Sequence, residues 1–326
     1  MFKRGKRRKP DVIEFACNLE DNIFALRDEL LLGIWECGGY KKFSVKDPKP
    51  RTIHKATVRD RVLYQAVYQV LYPIFDTIFI FDSYSSRIGK GTHAGIKRLE
   101  NFLCKLSRNN THQVYTLKCD IKKYFDSINH EILMNLLRGK VRGKKTLELL
   151  GKIIDSFHKT PGKGLPLGNV TSQIFANVYL NSFDWYMKKN LRIRYYIRYN
   201  DDFVILSCDK NELHELVRYI VCFLNKELKL ELHPDKILIR NLHQGIDFLG
   251  AVLLPHRIVP RTRTKNRITK KSANLLEPLK KGQISKEKFN QSIASYLGHL
   301  SHTKSRESQH FLHSMRTKTK NLPDIV

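Results

Sequence analysis

Two β-prone runs separated by a polar corner constrain this chain more than any other feature. Residues 195–206 contain Tyr-Tyr-Ile-Arg-Tyr, then Asn-Asp-Asp, then Phe-Val-Ile-Leu. Asn and Asp tolerate left-handed backbone angles and bond locally to the main chain, so the corner predicts a tight hairpin. Such a hairpin would present Asp201 and Asp202 side by side on rigid support. An ordinary solvated turn is the alternative interpretation, and an Asp-Asp pair alone does not exclude it.

A third aspartate follows another β-prone run. Residues 114–120 predict a buried strand that ends at Asp120, and Phe125 comes five residues later. If Asp120 lies beside the Asp-Asp pair, three carboxylates converge. Carboxylate oxygens suit Mg²⁺, with Mn²⁺ as a substitute, and such a set can hold two ions about 3.5–4 Å apart for in-line phosphoryl transfer. For Asp120 alone, a helix cap is the simpler interpretation.

The net charge points to a polyanionic partner. The 326 residues include 59 Lys and Arg against 31 Asp and Glu, a formal net charge of +28. Nucleic acid explains this excess better than a membrane surface, and no apolar run is long enough to span a bilayer. The six cysteines form no Cys-x-x-Cys pair, which argues against a zinc site and favours a reducing cytoplasm.

Basic segments occur between the predicted elements. We expect a basic arm and a helix over residues 1–40, then an extended segment in which Lys49 and Arg51 can reach a triphosphate. A solvated edge strand protected by charge and proline explains that segment equally well. Two loops and the helical segment that follows residue 256 carry further cations suited to phosphate contacts, namely Arg87, Lys90, Arg142, Lys144, Arg261, Arg263, Lys265 and Arg267.

Two further stretches carry specific expectations. Residues 162–173 predict a turn-rich entry into a helix from about Ser172 to Lys189, where Gly168 would let a base pair or the template backbone approach closely. Thr171 or Ser172 as a plain helix cap is the alternative, and it is compatible with that interpretation. Residues 248–253 predict a single short apolar strand.

Together these motifs resemble those of reverse transcriptases over about residues 41–302. The box at residues 199–202 resembles the catalytic Tyr-x-Asp-Asp turn, and Asp120 with Phe125 resembles the first carboxylate and the aromatic that discriminates between sugars. The resemblance implies four catalytic residues, Asp120, Asp201, Asp202 and Lys236. It also implies a two-Mg²⁺ site held by Asp120, Ile121, Asp201 and Asp202.

The resemblance assigns further roles. The residues that bind the nucleotide would be Lys49, Arg51, Phe125, Leu167 and Gly168. Among these, Phe125 would be the steric gate that excludes a ribose 2′-hydroxyl. The primer grip would be Phe248, Leu249 and Gly250, and Lys236 would lie near the leaving phosphate.

A departure from the common pattern points to a subgroup. Many reverse transcriptases have Gln where this chain has Leu167, and residues 165–179 resemble the Gly-x-x-x-Ser-Gln form of enzymes from bacterial and phage diversity-generating retroelements. This implies error-prone copying of a template-repeat RNA at adenines, helped by a small basic helical accessory protein that forms a pentamer. The fidelity residues would be Leu167, Ser172 and Gln173, because leucine cannot hydrogen-bond near the incoming nucleotide.

The implied fold is an α/β (α+β) right-hand polymerase. We expect fingers over residues 41–112, a palm over 113–255 with a fingers insertion around 131–165, and a basic helical thumb over 256–326. The partners would be template RNA, the RNA/cDNA duplex and dNTPs. Two alternatives remain: a retron-like or antiviral-defence reverse transcriptase, and a catalytically idle RNA-binding module, since such a basic chain binds RNA in either case.

Overall fold

The computed structural model describes residues 5–45, 50–301, 303, 310–314 and 317 of the chain. The N-terminal helices are α1 (Pro10–Cys17), α2 (Leu19–Leu32), α3 (Val58–Asp76) and α4 (Thr92–Leu106). The central ones are α5 (Tyr124–Ser127), α6 (His130–Arg138), α7 (Lys144–Asp155), α8 (Val170–Trp185) and α9 (Lys210–Leu228). The C-terminal ones are α10 (Thr262–Ala273), α11 (Leu276–Lys280) and α12 (Lys286–Leu300).

The strands form three sheets. β1 (Tyr40–Val45) and β2 (Arg51–Ala56) pair antiparallel. A four-stranded sheet has the order β4-β5-β3-β6, in which the strands are β3 (Tyr115–Asp120), β4 (Tyr196–Tyr199), β5 (Asp202–Ser207) and β6 (Leu238–Asn241). An antiparallel meander comprises β7 (Ile246–Phe248), β8 (Ala251–Leu254) and β9 (Arg257–Pro260).

Local capping explains several helix ends. The Thr57 side chain accepts a hydrogen bond from the Asp60 amide at the start of α3, and Asn129 does the same for the Ile132 amide in α6. Helix α2 ends at Gly33, which is left-handed with φ of 72°. The single helix predicted within residues 1–40 is broken at Asn18, so it consists of α1 and α2.

The described chain divides into two compact units. The first comprises residues 1–91, 118–204 and 214–237, and the second comprises residues 92–117, 205–213 and 238–326. In the first unit α8 is buried almost all round and packs against α3 and α6. In the second unit, side chains of α10 to α12 and the segment beyond them form a core of Ile268, Leu279, Phe289, Ile293, Leu300 and Leu312.

Some elements differ from the prediction. The strand predicted over residues 248–253 is a hairpin, because Leu249 and Gly250 turn the chain with φ of 51° and 88°. The helix predicted to end near Lys189 ends at Trp185 and continues as one π-helical turn, Tyr186–Asn190. No helix among the described residues is both long enough and apolar enough to cross a membrane.

Candidate active site

The polar corner between β4 and β5 is a tight turn, as the sequence predicted. Asn200 adopts the left-handed conformation with φ of 58°, and Asp202 begins β5. The Asn200 side chain donates to Asp201 Oδ1 at 3.2 Å. Asn is among the residues that tolerate this backbone region, so the turn is available without glycine. Both aspartates are therefore placed by the backbone of a hairpin.

The end of β3 lies against this turn. The Ile121 amide donates to the Asp201 carbonyl at 3.1 Å, and the His233 amide donates to the Asp120 carbonyl at 2.8 Å. Ile121 also forms an isolated antiparallel bridge with Leu232 and is almost fully buried. Main-chain bonds on two sides thus hold Asp120 next to the Asp201 turn.

Two lysines pair with the carboxylates. Lys236 Nζ, on a 3₁₀ turn, lies 2.7 Å from Asp120 Oδ1. Lys118 Nζ lies 3.2 Å from Asp202 Oδ2, and about a fifth of each of these two side chains is exposed. Sequence reasoning missed Lys118, although it precedes Asp120 by two residues on β3 and therefore points to the same face of the sheet.

Crowding and burial make Asp201 and Asp202 harder to ionise. Burial raises the pKa of Asp202 to about 6, an effect that Lys118 opposes and that the charges of Asp120 and Asp201 reinforce. Burial and the charge of Asp120 also raise the pKa of Asp201. A cation added among these groups would therefore be attracted as the carboxylates ionise.

The predicted metal ligands fit a divalent cation in their chemistry. Asp202 Oδ1 is buried and has no hydrogen-bond partner, and its neighbours Asp120 and Asp201 supply further hard oxygen atoms. The described residues contain no group of three or more His, Cys, Asp or Glu side chains already arranged around a metal position. In this structure Lys236 and Lys118 each pair with one carboxylate oxygen of Asp120 and Asp202.

The predicted sugar gate lies just beyond this site. Lys123 is left-handed with φ of 46° and starts the short helix α5, which carries the partly exposed Phe125. The Phe125 carbonyl accepts from the Leu165 amide at 2.8 Å, and the Leu167 carbonyl accepts from the His54 amide of β2 at 2.9 Å. The segment before α8 is thereby tied to α5 and to β2.

The backbone angle and the close neighbour of Gly168 both require glycine at this position. Its φ is +115°, and a Cβ atom there would lie 2.7 Å from Ile53 Cγ2. Contact between Gly168 and a base pair stays a prediction. Ser172 is buried in the first turn of α8 while Gln173 is exposed, and Leu167 is half-buried. Arg51 is exposed at the start of β2, whereas Lys49 lies outside the described residues.

The loop cations divide into engaged and exposed groups. Arg87 pairs with Asp76 at 2.5 Å and also donates to the carbonyls of Ile80 and Ser83, so its guanidinium serves the fold of its own loop. Lys90 donates to the Phe81 carbonyl and lies 4.1 Å from the centre of the Phe81 ring. Both cations are thus engaged within their own loop, and their contacts with phosphate stay a prediction. By contrast, the side chains of Arg142, between α6 and α7, and of Lys144, the first residue of α7, are exposed.

In the second unit, the predicted primer grip forms the turn between β7 and β8. Phe248 is fully buried, and Leu249 and Gly250 make the turn. Arg261 donates to Asp247 Oδ1 at 2.9 Å, and its amide donates to the Gly250 carbonyl at 3.0 Å. On α10, Arg263 is exposed while Lys265 and Arg267 are half-buried.

A family model described as reverse transcriptase (RNA-dependent DNA polymerase) matches residues 41–253. The chain belongs to the reverse transcriptase family. The predicted enzyme class, an RNA-directed DNA polymerase, is therefore confirmed. Enzymes of this family generally use divalent metal ions.

Curated relatives are similar at low identity. Protein YkfC of Escherichia coli is 26% identical over 272 residues, which cover 71% of this chain and 71% of YkfC. The group II intron-encoded protein LtrA of Lactococcus lactis is 23% identical over 303 residues, covering 71% of this chain and 49% of LtrA. The chain thus spans about half the length of LtrA.

Solved structures of telomerases share the fold. Apo telomerase from Candida tropicalis superposes with a TM-score of 0.57 at 14% identity, covering 87% of this chain and 57% of that one. The same telomerase with a fragment of telomeric RNA gives a TM-score of 0.52 at 15% identity, covering 86% and 53%. The predicted right-hand polymerase class of mixed α/β structure is confirmed.

Proposed function

We propose that the protein copies RNA into DNA at the edge of the sheet where Asp120, Asp201 and Asp202 meet. The observation that carries this proposal is the hydrogen bond from the Ile121 amide to the Asp201 carbonyl at 3.1 Å. It places the strand end that bears Asp120 against the Asp-Asp turn in a chain of the reverse transcriptase family. Three carboxylates on rigid backbone suit nucleotidyl transfer.

Asp120, Asp201 and Asp202 would hold two Mg²⁺ ions, for which Mn²⁺ can substitute, together with the main chain of Ile121. The unpartnered Oδ1 of Asp202 and the raised pKa values of Asp201 and Asp202 support this, because burial and the neighbouring carboxylates disfavour the ionised form and a bound cation would offset both effects. Bound ions would lower the pKa of the primer 3′-hydroxyl and neutralise charge on the leaving pyrophosphate.

Other side chains would bind and orient the substrates. Lys236 would leave Asp120 for the leaving phosphate, and Lys49 and Arg51 would neutralise the triphosphate. Phe125 would exclude a 2′-hydroxyl from the sugar position. The fingers, palm and thumb would follow the boundaries given above, and the separate core of α10 to α12 supports an independently packed thumb.

Primer extension on an RNA template tests the catalytic proposal. We expect Asp201→Asn to abolish extension while RNA affinity stays at the wild-type level, because the binding charge lies elsewhere. Asp21→Asn, an exposed position on α2, is the matched control and should extend normally. A wild-type protein that binds RNA but extends no primer would instead support an RNA-binding module.

We further propose that the template is a template-repeat RNA of a diversity-generating retroelement and that copying is error-prone at adenines. The departure at Leu167, followed by Ser172 and Gln173, supports this subgroup. A small basic pentameric accessory protein would assist. A retron-like or antiviral-defence reverse transcriptase is the competing assignment, and accurate copying of adenines would favour it.

Leu167→Gln tests the fidelity proposal. Glutamine restores a hydrogen-bonding side chain near the incoming nucleotide, so misincorporation opposite template adenine should fall. Sequencing the cDNA from one RNA template measures the error frequency for each template base. Leu167→Met, which changes the shape but adds no hydrogen bond, is the control. An unchanged adenine error frequency in Leu167→Gln would refute the role of this residue.

A further inference from the structure

A fully buried ion pair lies next to the Asp201 turn. Arg198 on β4 and Asp184 on α8 are both inaccessible to solvent. Arg198 Nε lies 2.7 Å from Asp184 Oδ1, and Nη2 lies 2.6 Å from Oδ2, so the contact is bidentate. Burial alone would lower the pKa of Arg198, but the charge and hydrogen bonds of Asp184 raise it above its ordinary value. The guanidinium therefore stays charged.

Every N–H of this guanidinium has a partner. Nη1 donates to the Asn200 carbonyl at 3.0 Å and to Asn177 Oδ1 at 3.3 Å. The second Nη2 proton reaches Ser83 Oγ at 3.2 Å. The Tyr196 hydroxyl donates to Asp184 Oδ1 at 2.7 Å, which fixes the carboxylate from another side. The group is held in one orientation by this network.

The bond to Asn200 links the network to the proposed active site. The Asn200 carbonyl belongs to the peptide plane that precedes Asp201, and Arg198 holds it. The Asp201 carbonyl belongs to the plane that follows, and the Ile121 amide holds that one at 3.1 Å. Two fixed peptide planes determine the backbone angles of the residue between them. The direction of the Asp201 side chain is thereby set from both sides.

We propose that Arg198, oriented by Asp184, is a positioning residue that aims the Asp201 carboxylate toward Asp120. This inference rests on the proposed polymerase function, for which Asp201 must hold a metal ion. A buried ion pair is a poor way to gain stability, because desolvation offsets most of the attraction. The planar guanidinium of Arg198 instead fixes the position of a main-chain carbonyl relative to a carboxylate, because it binds both at once. The single ammonium group of lysine cannot do the same.

The test compares two variants that alter the Arg198–Asp184 pair with a control variant that keeps the hydrogen bond from Arg198 to the Asn200 carbonyl. Arg198→Lys keeps the charge but loses the fork, and Asp184→Asn keeps the shape but loses the charge. Both should lower kcat for primer extension about ten- to a hundredfold, since small displacements of a catalytic group cost that much. The KM for dNTP should stay near wild type, because the triphosphate contacts are untouched. Ser83→Ala removes a bond to the guanidinium but leaves the Asn200 contact, and should retain kcat.

Measurements of metal binding distinguish a positioning role of Arg198 from a general loss of folded structure. Mn²⁺ binding, followed by electron paramagnetic resonance in protein shown by circular dichroism to be folded, should weaken in Arg198→Lys and Asp184→Asn but not in Ser83→Ala. Wild-type kcat and Mn²⁺ affinity in a folded Arg198→Lys would overturn the inference. If neither of the two network variants folds, the double variant Arg198→Met with Asp184→Leu, which strips both charges and the bond to the Asn200 carbonyl, decides: weaker Mn²⁺ binding supports positioning, and wild-type affinity overturns it. A wild-type protein that binds Mn²⁺ but extends no primer would refute the polymerase proposal, while the metal measurements still decide this one.

Discussion

Replacing Gly168 with alanine probes how the segment before α8 is seated on β2. The native φ of +115° is a region that residues with a Cβ rarely adopt, and such strain costs about 1–3 kcal/mol. The new Cβ would also lie 2.7 Å from Ile53 Cγ2, closer than real contacts allow. Ile53 is only partly buried and can shift, so we assign the overlap about 1 kcal/mol, the low end for overpacking. The unfolding free energy should fall by about 3 kcal/mol in total.

A double-mutant cycle separates the two contributions. Ile53→Ala removes the methyl group that the new Cβ meets, so Gly168→Ala should cost about 1 kcal/mol less in the Ile53→Ala background than in wild type. The backbone contribution should persist, because no side-chain change alters φ. Urea denaturation followed by circular dichroism gives all four free energies.

The same change should affect nucleotide use through Leu167. The Leu167 carbonyl accepts from the His54 amide at 2.9 Å, and a shift of Gly168 would disturb that bond. We therefore expect a higher KM for dNTP in Gly168→Ala, partly restored by Ile53→Ala. If Gly168→Ala is as stable as wild type, or if Ile53→Ala recovers none of the loss, the packing account of this glycine is wrong.

Three further predictions concern charge. The Mg²⁺ concentration that gives half-maximal primer extension should rise as the pH falls toward 6, because Asp202, with a pKa of about 6, must lose its proton to bind metal. Lys118→Met should move this rise to higher pH, because Lys118 lowers the pKa of Asp202. In EDTA, thermal melts should show stability lost as the pH rises from 3.8 through about 6, since the folded state holds the Asp202 proton more tightly than the unfolded state. Replacing both Arg142 and Lys144 with alanine should reduce the slope of log RNA affinity against log salt concentration by about 1.5, as measured by filter binding. Arg87→Lys should instead lower the melting temperature, because lysine cannot make all the bonds of the Arg87 guanidinium.

Local patterns predicted the elements around the site. The strand ending at Asp120 and the hairpin at Asn200 both follow from periodicity and turn chemistry, which act over a few residues. The prediction of one strand over residues 248–253 was wrong because Leu249, a residue that gives no turn signal, adopts a left-handed angle there. Such an angle is decided by the surrounding structure rather than by the residue itself.

The partners of individual charged side chains were harder to predict than the elements that carry them. The role of Arg87 depends on Asp76 and on carbonyls of its own loop, which composition does not identify. Arg198 gave a signal that went unused: a charged residue in an otherwise apolar strand must have a buried partner. Its partner, Asp184, lies on α8, and nothing in the local sequence distinguishes this aspartate from an ordinary polar residue on a helix.

The buried Arg198–Asp184 pair restricts how this protein can diverge. Removing one partner leaves the other charge buried and unpaired, which lowers the free energy of unfolding by about 3–5 kcal/mol. This is a large share of the roughly 5–15 kcal/mol by which folded proteins are stable. Each single replacement that removes one of the two charges therefore costs much of this stability, whichever partner changes first. Lineages that descend from this sequence should keep both residues or exchange both, while exposed positions outside the proposed site, such as Asp21, can change singly.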